Sequence, residues 1–256
     1  MFKDLVRQLN IIKALAIHDL QGQMKTYNYG FAWVLLEPLI YIVGFRMARK
    51  LLGGTGNPAG MTPLMYFVLG VFPLYFFNAG MGSGKSVASK SSLLYFPRVT
   101  QIDVAFGSGL SMLGVNLLLF LLLAPPVSAY EGAWPPQNLS VVIFAILISW
   151  LMGLGVGFTF SGALRVFPPM KQFMSYFSFA VRMGSGMFFC ARDVPSQYWP
   201  YLSWNPLFHA TELARDGWFE TYSSPIANPI YMIQCTLVLL LFGLSVERFM
   251  RRVPYV

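Results

Sequence analysis

The chain has 256 residues, of which 56% are hydrophobic and 11% charged, with a mean hydropathy of +0.57; an ordinary soluble domain carries about 25% charge. Its net charge of +8 is scattered among short loops instead of gathered on one soluble face, which argues against a nucleic-acid partner. The length leaves room for about six membrane spans with short connections, so no separate soluble catalytic domain is expected.

The first residues lack a continuous apolar core and a small-residue cleavage site, so no secretory signal is expected. Phe2, Leu5, Val6, Leu9, Ile12 and Ala16 recur at helical spacing with Lys3, Arg7, Lys13 and Asp19 between them. That pattern predicts an amphipathic interfacial helix within residues 1–29, resting on the inner membrane face as an anchor or a docking element.

Six spans are expected after it, at about 30–48, 63–84, 104–126, 139–163, 172–190 and 226–246. Four stretches contain no Asp, Glu, Lys or Arg, namely Leu51 to Gly84, Val104 to Ala129, Gly132 to Leu164 and Thr221 to Val246. Each is long enough to cross about 30 Å of hydrocarbon as a helix, where every backbone polar group must be satisfied within the protein. Val104 to Leu123 holds twelve Leu, Ile, Val or Phe, favouring insertion by about 4 to 7 kcal/mol. The other two spans carry single charges in their cores, Glu37 and Arg182. A carboxylate near mid-helix costs on the order of 3 kcal/mol, most of what the nine large apolar residues of the first span supply, so Glu37 should face a partner helix or water.

Basic residues give the orientation. With both ends inside, residues 1–29, 85–103, 165–171 and 247–256 hold twelve of the eighteen Lys and Arg, which the positive-inside rule favours. Both termini are therefore expected in the cytoplasm, with the whole chain forming one transmembrane domain.

Residues 79–86, Ala-Gly-Met-Gly-Ser-Gly-Lys-Ser, resemble a phosphate-binding loop except for the leading Ala. A true loop of that kind joins a strand to a helix, whereas this one ends a membrane span. The small residues at 79, 80, 82, 83 and 84 are better read as letting helices approach closely, with Lys85 an inner anchor. Cys190 and Cys235 fall at different depths, so no disulfide is expected. His18 and His209 stand apart from other ligand types, so neither a metal site nor a cofactor is expected on this chain.

Residues 191–225 form an outer segment rich in aromatics, including Tyr198, Trp199, Tyr201, Trp204, Trp218 and Tyr222, and punctuated by Pro195, Pro200 and Pro206. It is expected to fold as short helices in the outer interface, where Trp and Tyr suit an environment apolar at one end and wet at the other. Trp199 and Trp204 are also candidates for stacking on a sugar chain.

Several motifs together resemble the membrane subunit of capsule-polysaccharide exporters, in the ABC-2 superfamily of ATP-driven transporters. Residues 29–38 (Tyr-Gly-Phe-Ala-Trp-Val-Leu-Leu-Glu-Pro) look like the glycine, tryptophan and Glu-Pro signature at the start of that family's first span. Residues 94–99 (Leu-Tyr-Phe-Pro-Arg-Val) with Ile102 and Asp103 look like its cytoplasmic segment before the third. Asn205-Pro206-Leu207, His209, Glu212, Arg215 and Gly217-Trp218-Phe219 look like its outer segment before the last.

The resemblance implies an all-α inner-membrane permease that works as a homodimer of twelve spans. Two copies of a separate cytoplasmic ATPase, holding ATP and magnesium, would drive it. It would pass a lipid-linked, acidic polysaccharide to a periplasmic adaptor and an outer-membrane channel. In similar proteins the N-terminal helix and the loop before the third span dock the ATPase, which makes Lys85, Lys90, Phe96, Pro97, Arg98 and Asp103 docking candidates. O-antigen and teichoic acid exporters share the superfamily and are the alternative, and a membrane-embedded transferase is a more distant one, since the few acids are dispersed.

Intramembrane charges are the best candidates for a substrate path. Arg46, Arg49 and Lys50 cluster at the outer end of the first span, where they either guide an acidic polymer or snorkel to the interface. Arg182 lies deeper, either paired with Glu37 or directed to substrate. Trp33, Tyr41, Tyr66, Phe72, Tyr75 and Phe76 are aromatics within the spans that either line a sugar path or pack the bundle.

Overall fold

The computed structural model describes residues 2–26, 30–51, 58–89, 99–167 and 169–250. Lys90, Phe96, Pro97 and Arg98 lie outside the described residues, as do the side chains of Trp33, Arg49 and Lys85. The described residues are helical, with no strand among them. The helices are α1 (Phe2–Thr26), α2 (Gly30–Leu51), α3 (Pro63–Ser89), α4 (Gln101–Glu131), α5 (Leu139–Val166), α6 (Met170–Gly184), α7 (Trp199–Ser203), α8 (Pro206–Trp218) and α9 (Pro229–Met250).

Four of them, α3, α4, α5 and α9, are long and apolar enough to cross a membrane. Helix α2 has 22 residues, about 33 Å at the usual rise, but carries Glu37, Arg46, Arg49 and Lys50. Helix α6 differs from the expected span over 172–190. It runs for 15 residues, about 22 Å, and stops at Gly184, where the chain turns through Gly186 in a left-handed conformation (φ 75°). Pro38 and Pro73 sit inside α2 and α3, and Pro125 and Pro126 inside α4, without ending them, while Pro63 starts α3. Interior prolines are tolerated in membrane helices because neighbouring groups satisfy the freed carbonyls.

Helix α3 is the axis of the bundle and is buried along nearly its whole apolar length, with α2, α4, α5 and α8 around it. Its closest neighbour is α5, because glycines on both helices remove the side chains that would hold them apart. A Cβ at Gly80 would strike the carbonyl oxygen of Trp150, one at Gly84 that of Gly157, and one at Gly153 that of Phe77. Gly80 and Gly84 lie four residues apart on α3, and Gly153 and Gly157 four apart on α5, a reciprocal small-xxx-small crossing. The phosphate-loop-like stretch is thus a helix-packing surface. Gly82, the third glycine within it, has nothing within 4 Å and takes no part. On the far side of α5, Gly155 and Gly243 bring α9 equally close.

Helix α1 packs along the start of α4; of the expected apolar stripe, Ile12 and Ala16 have described side chains, while those of Phe2, Leu5, Val6 and Leu9 lie outside the description. Leu15 and the backbone of Ile12 and Ala16 cross α4 at Gly107, Ser111 Oγ donates to Asp19 at 2.7 Å, and Gln8 Nε2 donates to Asp103. Asp103 is buried and caps α4. Its backbone N–H donates to Thr100 Oγ1 at 3.3 Å, and its carboxylate accepts from the Thr100 N–H at 2.8 Å. At the opposite end of the bundle the Glu131 carboxylate, from the last turn of α4, accepts from the Leu64 and Met65 N–H groups at 2.9 to 3.1 Å and so caps α3.

Gly84→Val and Gly157→Val should cost at least the ~3 kcal/mol at the upper end of ordinary overpacking, because backbone stands on both sides of the contact. Gly82→Ala should be neutral or stabilising, since Ala favours the helix and its methyl meets no neighbour. Thermal unfolding of the detergent-solubilised variants measures the contrast; a phosphate-loop role would instead make Gly82 as sensitive as Gly84.

Candidate functional site

A helix that stops in the packed interior leaves its last carbonyls without partners and without water to replace them. Helix α8 supplies donors for the end of α6 one after another. Asn205 Nδ2 donates to the Gly184 carbonyl at 2.7 Å, and Thr211 Oγ1 to that of Ser185 at 2.7 Å. Arg215 follows, with Nη2 donating to Gly186 at 2.8 Å and Nη1 to Phe189 at 2.9 Å. Asn205 also caps α8 itself, its Oδ1 accepting from the Leu207 N–H at 3.0 Å.

Arg215 is fully buried, and its guanidinium stacks 4.1 Å from the centre of the Tyr66 ring. A Cβ at Gly70 would lie 2.7 Å from Arg215 Nη2, so α3 needs a glycine there. The positive charge is balanced by Glu212, also fully buried, at 3.2 Å. The other Glu212 oxygen accepts from the Tyr222 hydroxyl and, at 2.8 Å, from Ser224 Oγ. Burial and the neighbouring carboxylate together hold the Tyr222 phenol well above its ordinary pKa, so it stays a donor. His209 Nδ1 accepts from the Asn228 N–H at 3.1 Å, which assigns Nε2 as donor to the Ser203 carbonyl at 2.7 Å. Trp218 Nε1 donates to Ala133 O at 3.0 Å. The whole motif from Asn205 to Trp218 therefore folds the segment against α3, α5 and the end of α6.

Two sequence candidates are held by this scaffold. Tyr66, 1% exposed, has its ring under Arg215 and donates its hydroxyl to Asp193 at 3.1 Å. Trp199 Nε1 is shared between the carbonyls of Ala191 and Val194 at 2.9 and 3.0 Å. Trp204 is 81% exposed, and Tyr201 beside it 79%, so the free aromatic surface is Tyr201 with Trp204 and not Trp199 with Trp204.

Deeper in the bundle, α2, α3 and α6 bring polar groups together. Arg182 Nη1 donates to the Tyr41 hydroxyl at 3.5 Å, so the described contact of Arg182 is with Tyr41, one turn beyond Glu37, and not with Glu37. Tyr75 of α3 is near enough to this group for the charges of Glu37 and Arg182 to act on it. Glu37 is exposed, and α2 rests on α3 chiefly through Pro38, Ile42 and Phe45, the last stacked on Phe67 at 4.3 Å. Toward the aromatic end of α2, Arg46 sits 5.9 Å over the Tyr130 ring, with Lys50 exposed beyond it. Asp103 of the docking candidates is committed to capping α4.

The sequence reading missed one surface. Helix α6 exposes Gln172, Ser175, Tyr176, Phe179 and Met183, a stripe at three- and four-residue spacing, while Met174, Phe177 and Val181 face the bundle. Helical periodicity over 172–183 carries that signal, which an expected span read only by total apolarity conceals.

No family model matches the chain. It is similar along nearly its whole length to three polysaccharide export or transport proteins. It is 26% identical over 252 residues to the capsule polysaccharide export inner-membrane protein CtrC of Neisseria meningitidis serogroup A, covering 95% of this chain and 92% of that one. It is 25% identical over 244 residues to the polysialic acid transport protein KpsM of Escherichia coli, covering 93% and 92%. It is 24% identical over 245 residues to the capsule polysaccharide export inner-membrane protein BexB of Haemophilus influenzae, covering 94% and 91%.

Arg215→Leu should destabilise the chain by about 3 to 5 kcal/mol, by leaving Glu212 uncompensated in a dry site. The double variant Glu212→Leu/Arg215→Leu should recover only part of that loss, because the carbonyls of Gly186 and Phe189 remain without donors. Thermal unfolding of the two proteins checks this; full recovery in the double variant would reduce Arg215 to a simple charge partner.

Proposed function

We propose that this chain is the membrane subunit of an ATP-driven exporter of capsular polysaccharide. In this reading it works as a homodimer with two copies of a separate cytoplasmic ATPase, and both its termini lie in the cytoplasm. The observation that carries the reading is the similarity to CtrC, KpsM and BexB over more than nine-tenths of each protein. Six spans follow if α2 and the re-entrant pair of α6 and α8 cross the bilayer together with the four apolar helices.

The distribution of exposed groups supports a path along α2 and α6. The outer faces of α4 and α9 present Leu117, Leu118, Leu121, Leu237, Val238 and Leu241, surfaces suited to lipid. Helix α2 exposes Glu37, Arg46 and Lys50, and Arg182 on α6 is half-exposed beside it. Ionisable groups at that depth face a water-filled route or a partner. A second copy placed against this face encloses a conduit lined by Glu37, Tyr41, Arg182 and the aromatic stripe of α6, with Trp33 near its inner mouth. Arg46, Arg49 and Lys50 stand at its outer mouth, favouring an acidic polymer. The relative KpsM is named for one.

The ATPase docks, in this reading, on α1 and on the segment from Lys85 through Lys90, Phe96, Pro97 and Arg98. Asp103 acts there indirectly, by fixing the start of α4 and the hold of α1 on it. The chain contributes no nucleotide site, and ATP and magnesium belong to the partner. The polymer, carried on a lipid, passes from the cytoplasm to a periplasmic adaptor and an outer-membrane channel.

Deleting the gene should abolish surface capsule while glycan accumulates inside the cell. The wild-type chain should restore export only together with the ATPase. ATP hydrolysis by the purified chain alone, or labelling that places the two termini on opposite sides of the membrane, would overturn the reading. Arg182→Leu should reduce export while leaving dimer assembly intact, measured by capsule on the cell surface and by cross-linking; unchanged export removes Arg182 from the path.

A further inference from the structure

We propose that Tyr75, together with Tyr41, Glu37 and Arg182, forms an intramembrane subsite that binds the hydroxyl groups of a sugar ring and reads no charge on it; this rests on the exporter reading above. The observation behind it is a polar atom with nothing to bond. The Tyr75 hydroxyl is buried and has no hydrogen-bond partner among the described residues, and the same holds for Asn78 Oδ1, three residues along the same helix.

A buried hydroxyl without a partner is costly, and native structures carry few such groups. Packing does not require this one. The Tyr75 ring meets Phe72 edge to face with centroids 6.0 Å apart, a contact that Phe at position 75 would make equally well. The hydroxyl therefore adds nothing to the closed arrangement and becomes useful only when another group reaches it.

The surrounding chemistry indicates which group that is. Glu37 offers acceptors only, Arg182 donors only, and Tyr41 and Tyr75 can each do both. Arg182 uses one N–H on Tyr41 at 3.5 Å, long for a hydrogen bond, and the others remain to serve a ligand. The carboxylate and the guanidinium offset each other, so the cluster is close to neutral. A carboxylate or phosphate on the ligand would gain from Arg182 and lose to Glu37. A pair of neighbouring sugar hydroxyls satisfies both, donating to Glu37 while accepting from Arg182 and Tyr75. Every repeat of a glycan presents such pairs, so a subsite of this kind can act on each sugar in turn.

The test is Tyr75→Phe in the full chain, co-expressed with its ATPase in a deletion strain in which the wild-type chain restores capsule. The variant should assemble in wild-type amounts and unfold at the same or a higher temperature, because it removes an unsatisfied hydroxyl. Its export rate should fall about three- to tenfold, the range expected for one lost neutral hydrogen bond. Glu37→Gln, which keeps one acceptor and removes the charge, should lower export by no more than Tyr75→Phe does. Full export by Tyr75→Phe, or a drop in export matched by a drop in folded protein, overturns the subsite. Loss of export in Glu37→Gln with Tyr75→Phe unaffected also overturns it, by assigning the cluster to a charged group. If the wild-type chain itself fails to restore capsule, the exporter reading fails instead.

Discussion

Backbone meets backbone where α3 crosses α5, and the other elements are arranged around that contact. Between lipid-facing helices there is no hydrophobic drive to associate, since lipid is as apolar as Leu, so close approach and dispersion must hold them together. Gly80 and Gly84 against Gly153 and Gly157 provide that approach, and they make α3 the buried axis. On that axis α4 is tied by the Asn116 amide to the Tyr75 carbonyl and by Glu131 capping the first turn of α3. Helix α9 reaches the bundle chiefly through α5 and α8, by its own glycine contact at Gly243. Helices α2 and α6 touch the axis far less than α5 does, and they carry Glu37, Arg46, Lys50 and Arg182, so most of the candidate path lies away from the glycine contact.

The second organising demand is the satisfaction of backbone groups away from water. Helix α6 stops short of a full span, and the carbonyls at its end are met by Asn205, Thr211 and Arg215 in spatial order. An arginine with its carboxylate partner is an expensive thing to bury, and a buried pair rarely adds net stability by itself. Its value here lies in the fork of donors, which serves several carbonyls that no single neutral side chain could reach. Glu212 then extends the same network to Tyr222 and Ser224, ahead of α9. A motif that reads as a functional signature is, at the level of atoms, the device that satisfies the end of a short helix inside the bundle.

Some residues singled out for function turn out to be structural for reasons that pattern alone does not carry. Asp103 ends a segment that resembles a docking loop, yet its carboxylate closes a capping box with Thr100 and receives Gln8 from α1. Tyr66 looks like any other aromatic in a span until Arg215, 149 positions away, is found stacked on it. Arg182 has Tyr41 as its contact, although Glu37 is the partner that charge alone would choose. Each of these assignments depends on groups far apart in the chain arriving at one point.

The amino-acid sequence by itself determined that the chain enters a membrane, where the apolar helices lie, and that the glycines around position 80 serve helix contact, because hydropathy, length and side-chain size are local properties. It also carried the resemblance to capsule exporters, through motifs short enough to be read in order. Only the tertiary structure decided that α6 ends early and is capped by α8, that Trp199 is held while Trp204 is free, and that Tyr75 comes within electrostatic range of Glu37 and Arg182. Those outcomes rest on which donors meet which acceptors across three or more helices. In a medium without water that pairing is set by helix crossing and depth, and neither is written in any single segment.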